Sequence, residues 1–378
     1  MQSPRHKSYD AVVVGAGIIG LACAWRAAQR GLSVVVLERD EPGSGASGVA
    51  AGMLAPVTEA DFGDERLLRA NLESRALWPA FAAELEELTG LAVGYRESGA
   101  LVVAADRDDA EELKRLHALQ RSLGLDTEWL LPSACRREEP GLSPRVAGGI
   151  LAPADGQADP RATVGALAAA LELAGGELVS GVEVVGLETR AGRVTGVRTA
   201  GGRVATERVV IAAGCWSGEG LETGGPLPAV RPVKGQLVEL RARAGRPAPA
   251  DRIVRSPRCY LLSRHDGRVV LGATVEEQGF DASVTADGVY RLLEAAWELL
   301  PDVSELELVG ARAGLRPGTP DNEPVIGPGE PEGLVWATGH YRNGVLLAPL
   351  TADAVAALVA GGEPPKSVAG FAPEGVAA

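Results

Sequence analysis

The chain has 378 residues, enough for two domains with sizeable cores, and the composition of an ordinary globular protein. A net charge of −13 argues against nucleic acid or an anionic membrane surface as its main partner. Cys23, Cys135, Cys215 and Cys259 are widely spaced, with no C-x-x-C and only four histidines, so neither a metal site nor a disulfide scaffold is expected and a reducing cytoplasm is the simplest home.

Arg5 and Lys7 ahead of the apolar stretch 11–24 imitate a secretory signal, but three glycines inside it favour a folded element. No run reaches the ~18 apolar residues of a membrane span. Residues 11–14 read as a buried parallel strand that turns sharply into a helix from about 18 to 30. Gly15, Gly17 and Gly20 fit G-x-G-x-x-G: Gly15 for the tight turn, Gly17 for approach of a pyrophosphate, Gly20 for close helix–strand packing. The helix start offers N–H groups and a positive dipole end to phosphates. Gly31 stops the helix, and a second strand, 33–37, ends at Glu38, 18 residues past Gly20, where a carboxylate can accept hydrogen bonds from an adenosine ribose. Arg39 would suit a 2′-phosphate, but Glu38 at the strand tip argues against one. The small-residue stretch 42–53 either brings backbone N–H groups and the Ser47 hydroxyl to a ligand or is a flexible loop.

A long amphipathic helix is expected at 65–88, its apolar side made by Leu67, Leu68, Leu72, Leu77, Phe81 and Leu85. Strands follow at 92–96 and 100–104, a solvated helix at 108–123, and a short helix opened by Pro132. Asp159-Pro160 reads as an N-cap with proline at the first helical position, the helix running to Leu173. Strands 177–179, 182–188, 193–199 and 203–205 read as a β-meander, and an apolar strand, 209–213, ends at Gly214. Residues 227–320 are mostly strand-like, with one helix at 285–300. A strand at 334–337 meets Gly339 to Gly344, a last helix covers 345–359, and the tail after Gly361 reads as poorly ordered. The strand ends at Gly15, Glu38, Gly214 and Gly339 can converge at the carboxyl edge of one parallel sheet, where open α/β folds bind ligands.

On the residues alone, Arg342 sits between a strand end and a helix start, either reaching a cofactor edge or lying on the surface. Arg316, in Gly-Leu-Arg-Pro-Gly-Thr, is either a carboxylate ligand or an ordinary turn residue. Tyr260 is either a pocket wall or a core residue. Lys234 either places a positive charge near a bound ligand or makes a structural salt bridge. Cys259, beside Tyr260, is either a point of covalent attachment for a ligand or, the favoured reading, a buried structural thiol.

The segments 12–20, 50–54, 232–236, 314–319 and 339–349 together resemble the FAD-dependent D-amino-acid-oxidase-like family, and within it the glycine oxidases of thiamine biosynthesis. The resemblance implies an α/β fold with an α+β second domain: a Rossmann-type, glutathione-reductase-like FAD-binding domain from 1–84, 150–226 and 321–378, and a sheet-rich substrate or cap domain from 85–149 and 227–320. It implies FAD as cofactor. Gly15, Gly17, Ile18, Ile19 and Gly20 would meet the pyrophosphate, and Glu38 and Arg39 the adenosine ribose. Ala46, Ser47, Ala51, Gly52 and Met53 would contact pyrophosphate and flavin, and Val184 the adenine. Ala213, Gly214 and the run His340, Tyr341, Arg342, Asn343, Gly344, Val345 and Leu346 complete the cofactor site. Arg316 and Arg342 would clamp a substrate carboxylate, with Tyr260 lining the pocket.

The implied reaction is oxidation of glycine, small amines or D-amino acids, with hydride passing from Cα to flavin N5, so no catalytic residue beyond the clamp is expected. The imine would hydrolyse to glyoxylate and ammonia or serve as dehydroglycine for the thiazole of thiamine, oxygen yielding hydrogen peroxide. Alternatives are a D-amino-acid, sarcosine or N-alkyl-glycine oxidase or dehydrogenase, and, from a different class, a non-catalytic or partner-dependent flavoprotein subunit. The implied partners are a small amino acid or amine, oxygen, and further copies of the chain in a homotetramer.

Overall fold

The protein is described by a computed structural model covering residues 4, 8–243 and 245–373; Arg5, Lys7 and residues 374–378 lie outside the described residues. The valine-rich strand Ala11–Val14 lies near the middle of a six-stranded sheet. Its order is Val325–Pro328, Leu334–Thr338, Val209–Ile211, Ala11–Val14, Val34–Glu38, Glu177–Ser180. Five strands are parallel; Val325–Pro328 runs antiparallel at one edge. The central strands are apolar throughout because both faces are covered. Ala11, Val13, Val34 and Val36 pack under the helices Ile18–Gln29, Glu65–Thr89, Pro160–Leu173 and Gly344–Val359. Val12, Val14, Val35 and Leu37 pack against an antiparallel meander, Val184–Arg190, Arg193–Thr199 and Gly202–Ala205. Each such valine or leucine contributes roughly 1.5–3 kcal/mol by leaving water.

The residues 227–320 and parts of the preceding chain build an eight-stranded sheet. Its order is Glu307–Gly318, Arg231–Arg241, Arg268–Gly272, Tyr260–Ser263, Ile253–Arg255, Ala100–Ala104, Gly148–Ala152, Glu128–Leu130. Period-2 alternation splits its side chains. Leu101, Val103, Val238, Leu240, Val254, Leu261 and Leu271 pack against the helix Ala286–Leu299. Ala100, Leu237, Ile253, Leu262, Val270 and Tyr260 face the other way, toward Val49, Ala51 and Met53.

The expected helices are present as Glu65–Thr89, Arg107–Ser122, Pro132–Glu138, Pro160–Leu173, Ala286–Leu299 and Gly344–Val359. The Asp159 side chain caps its helix by accepting from the Arg161 and Ala162 N–H groups at 3.0 and 3.4 Å. Three expectations need correction. Residues 92–96 form no strand, only a bridge from Arg96 to Gln157. Glu177–Ser180 belongs to the parallel sheet, not the meander. It leaves the helix Pro160–Leu173, which packs beside Ile18–Gln29, and the crossover returns it parallel to Val34–Glu38. The tail is docked as far as the described residues run: the 3₁₀ turn Lys366–Phe371 buries Val368 and Phe371 in the helical core.

All four cysteines are unpaired and buried. Burial pushes their thiols up, to about 11 for Cys135 and Cys259, about 12 for Cys215, and further for Cys23. Among the described residues no group of His, Cys, Asp or Glu is arranged to hold a metal ion, and no helix is long and apolar enough to cross a membrane.

Candidate active site

The carboxyl ends of the parallel strands open into a cavity of about 1060 Å³, closed on its far side by the apolar face of the eight-stranded sheet. Glycines shape its floor. Gly15 has φ +102°, and a Cβ there would stand 2.6 Å from the Ala212 carbonyl oxygen; a Cβ on Gly20 would run into the Gly15 carbonyl. The helix Ile18–Gln29 therefore starts hard against the strand, its N-terminus at the cavity. Such a start carries unpaired N–H groups and a partial positive charge suited to phosphate. Ser47 contributes to this end by accepting from the Ile18 N–H at 3.0 Å.

Glu38 stands at the strand tip and lines the cavity, and its carboxylate also does local work. One oxygen accepts the Ala16 N–H at 2.7 Å and the other the Asp40 N–H at 2.9 Å, bracing the glycine turn. A carboxylate offers about four lone-pair sites, so both oxygens keep capacity for a ribose hydroxyl. Arg39 pairs with Asp40 at 3.1 Å and Glu183 at 3.8 Å and lies 4.9 Å over the Trp216 ring. Trp216 in turn lies 5.9 Å from Phe280. The Ala51 carbonyl is held by the buried guanidinium of Arg264, which also donates to Gln157 at 2.8 Å.

The opposite wall presents Arg316 and Tyr260. Arg316 Nη1 donates to the backbone oxygens of Thr274 at 3.1 Å and Lys234 at 3.3 Å. Its guanidinium lies against Gly235 on the neighbouring strand, where a Cβ would stand 2.5 Å from Cζ. The Tyr260 ring lies over Gly272 in the same manner. Burial raises the Tyr260 phenol above its ordinary value against the lowering pull of Arg316, so it stays a neutral donor at neutral pH. Arg342 is exposed at the cavity, 5.1 Å over the Tyr341 ring. Neither Arg316 nor Arg342 has a carboxylate partner among the described residues, whereas Arg39, Arg255 and Arg258, which line the same cavity, do.

The structure brings most of the expected site residues to this one cavity: Gly15, Gly17, Ile18, Ile19, Glu38, Arg39, Ala46, Ser47, Ala51, Gly52, Met53, Val184, Ala213, Gly214, Tyr260, Arg316, His340, Tyr341, Arg342, Gly344 and Val345. Three do not line it. Gly20 packs behind the turn. Asn343 caps the helix Gly344–Val359 through its carbonyl, which accepts from Leu347 at 2.7 Å. Leu346 is buried, its carbonyl taken by Ser74 and Trp78 at 2.7 and 3.0 Å. His340 is buried against Thr351, with Nε2 3.0 Å from the hydroxyl, and burial lowers its pKa to about 3. At neutral pH its ring is therefore uncharged.

Lys234 makes the structural salt bridge. It is 1 % exposed, 3.4 Å from both Glu276 and Asp281, and it does not line the cavity. Lys234 stands opposite Leu315 in the ladder, one residue out of phase with Arg316 opposite Val233, so alternation turns it to the other face. Cys259 is a buried thiol in the core beneath the helix Ala286–Leu299, and it also borders the cavity. Sequence reasoning missed Glu59, Trp216, Gln236, Arg255 and Phe280, all of which line the cavity. Trp216 follows a strand end through Gly214, a findable signal; the others reach the cavity only through long-range pairing.

A family model described as FAD dependent oxidoreductase (DAO) matches residues 10–358. The chain is 39% identical over 355 residues to the glycine oxidase of Geobacillus kaustophilus, covering 93% of each. It is 38% identical over 348 residues to the bifunctional protein ThiO/ThiG of Trichormus variabilis, covering 92% of this chain and 52% of that one; it spans about half that relative's length. Among solved structures, the crystal structure of the Geobacillus kaustophilus glycine oxidase superposes with a TM-score of 0.91 at 36% identity, covering 98% of this chain and 100% of that one.

Proposed function

The chain belongs to the family of FAD-dependent oxidoreductases, and on that premise we propose that it is a glycine oxidase. The activity proposed is oxidation of glycine, and of small amines or D-amino acids, through the imine, which for glycine gives glyoxylate, ammonia and hydrogen peroxide. The imine is also proposed to feed the thiazole of thiamine. The observation that carries the reading is the pair of guanidinium groups without carboxylate partners, Arg316 and Arg342, at a cavity that also holds a glycine turn and a strand-tip carboxylate.

The residues present fit FAD. A cavity of about 1060 Å³ stands at the upper end of ordinary ligand sites, roughly 300–1,000 Å³, room for a dinucleotide and a small substrate. The floor is the close glycine packing that a pyrophosphate needs. Gly15, Gly17, Ile18, Ile19 and Ser47 would hold the pyrophosphate, Glu38 and Arg39 the ribose, and Val184 the adenine. Ala51, Gly52, Met53, His340, Tyr341, Gly344 and Val345 would hold the flavin. When bound, FAD supplies the two-electron acceptor for the amine's C–H oxidation.

The chain's own part is binding and orientation. Arg316, pinned by two backbone carbonyls, presents its remaining N–H groups as a planar fork for the substrate carboxylate. Arg342 adds a second cation, and the Tyr260 hydroxyl a neutral donor. No side chain is assigned a proton transfer: Tyr260 stays protonated and His340 stays neutral at working pH.

The same proposal includes a Rossmann-type, glutathione-reductase-like FAD domain from 1–84, 150–226 and 321–378, capped by 85–149 and 227–320, in a cytoplasmic homotetramer. Anaerobic mixing of the purified, FAD-loaded protein with glycine, sarcosine, D-alanine and D-proline tests the activity. Fast bleaching of the flavin by glycine, reversed by air with peroxide formed, is the expected result. Bleaching by bulkier substrates only would move the assignment to a D-amino-acid or N-alkyl-glycine oxidase, and bleaching by none would overturn amine oxidation.

A further inference from the structure

The substrate end of the cavity carries more positive charge than one carboxylate requires. Arg255 stands directly opposite Tyr260 in the antiparallel pair of Ile253–Arg255 with Tyr260–Ser263, so both side chains leave the same face of the sheet. Both line the cavity, and the Tyr260 phenol feels the charges of Arg316, Arg255 and Arg342 together. Unlike Arg316 and Arg342, Arg255 is neutralised. Its Nη1 donates to Glu59 Oε1 at 3.0 Å and to the Thr58 carbonyl at 3.3 Å. The side chains of Arg255 and Glu59 are 21% and 15% exposed, so the pair is largely withdrawn from water.

Glu59 is also held in place. Fully buried Asp155 accepts the Val57 N–H at 3.1 Å, the Thr58 N–H at 3.0 Å and the Thr58 hydroxyl at 2.7 Å, and the Glu59 N–H donates to Ala55 at 3.1 Å. The other carboxylates of the cavity wall, Glu38, Asp40, Glu183 and Glu219, lie around the glycine turn, Arg39 and Trp216 at the nucleotide end. Binding and orienting a monocarboxylate uses neither member of the Glu59–Arg255 pair.

We infer that Glu59 selects substrates by charge: it cancels Arg255 beside Tyr260, so the site accepts amino acids with one carboxylate and turns away those with two. A dicarboxylic amine such as N-carboxymethylglycine would place its second carboxylate where Arg255 is already paired and Glu59 repels it. The inference rests on the amino-acid-oxidation reading and names a specificity residue for it.

Two ether acids that lack an oxidisable amine provide the test: methoxyacetate, with one carboxylate, and diglycolate, with two. Their dissociation constants are read from the absorbance change of the FAD-loaded protein. Wild type should favour methoxyacetate. In Glu59→Gln the diglycolate-to-methoxyacetate affinity ratio should rise by about tenfold or more, with kcat/KM for N-carboxymethylglycine over glycine rising in step through KM. Glu59→Ala should reproduce the shift and serves if the first variant does not fold. Adding Arg255→Gln should return the ratio toward wild type. An unchanged ratio in the Glu59 variants would overturn the inference. So would an equal gain in the double variant, which would transfer the second carboxylate to Arg258, an exposed residue of the cavity wall. Failure of glycine to bleach the wild-type flavin would instead overturn the oxidation reading and leave the binding ratios standing.

Discussion

Replacing Gly235 by alanine should damage the substrate clamp while leaving the fold intact. The added Cβ would lie 2.5 Å from Arg316 Cζ, whereas carbon atoms rest at about 3.5–4.0 Å, so the guanidinium must withdraw by roughly 1–1.5 Å. The obstructing atoms are the end of a flexible side chain, so the backbone need not move. Alanine in a strand interior recovers about 0.5–1 kcal/mol relative to glycine, and thermal stability should be unchanged or slightly higher. The withdrawal does pull Nη1 off the Lys234 and Thr274 carbonyls, which set its position at 3.3 and 3.1 Å. A misplacement of about 1 Å costs about 10²-fold in rate, equivalent to about 2.7 kcal/mol of transition-state stabilisation. The assay is kcat/KM for glycine in the FAD-loaded Gly235→Ala protein, with its thermal unfolding alongside. A folded, FAD-loaded variant with wild-type kcat/KM would refute the assignment of Arg316 as a positioned carboxylate ligand.

Gly20→Ala should act on the other wall and on the fold itself, because its Cβ meets the Gly15 backbone. Destabilisation of about 1–3 kcal/mol in denaturant, with lower flavin content on purification, is expected. Arg316→Lys keeps the charge and loses the fork, so KM for glycine should rise about 10- to 100-fold, with flavin content unchanged. His340 makes stability depend on pH. Its folded pKa, lowered to about 3 from 6.5, means that the unfolded chain takes up the proton first. Its contribution is complete above about 6.5 and declines as pH falls, by about 1.4 kcal/mol per pH unit. Relative to wild type, His340→Asn should therefore be least stable near pH 7.5 and recover toward pH 5, measured by urea unfolding at both pH values. Asp155, raised to about 6 by burial, has the opposite sign. Its contribution is full below 3.8 and lost as pH rises through about 6, so a comparison against wild type is needed to isolate the histidine.

The nucleotide side of the site is legible in the sequence because its determinants are local. A strand, three glycines and a helix start follow one another within ten residues, and Glu38 closes the next strand in the same short unit. The substrate side is legible only through resemblance. Arg316 and Tyr260 reach the cavity through the ladders of an eight-stranded sheet, where one residue of register decides which face a side chain joins. Lys234 shows the cost of not knowing that register: one residue out of phase with Arg316 in the ladder, it stands on the opposite face. Glu59 and Arg255 meet across 196 residues of chain and carry no sequence signature of doing so. The strand Glu177–Ser180 reads as part of the meander for a related reason. Its short apolar pattern suits either sheet, and only the packing of the preceding helix decides between them.

The placement of the sulfur atoms bears on how long such a catalyst can last. On the proposed reaction, every turnover in air releases hydrogen peroxide inside the protein. Peroxide attacks thiolates, and a thiol held well above its ordinary pKa supplies almost none at neutral pH. All four cysteines are shielded in this way, by burial in the packed core. Cys259 borders the cavity too, but as a buried thiol; the Met53 thioether in the same cavity wall is half-buried and needs no ionisation to react where the oxidant would be formed. Self-inflicted ageing of this protein would thus be recorded as a sulfoxide at Met53, a lesion that reductases can reverse, before any sulfur in the core was touched.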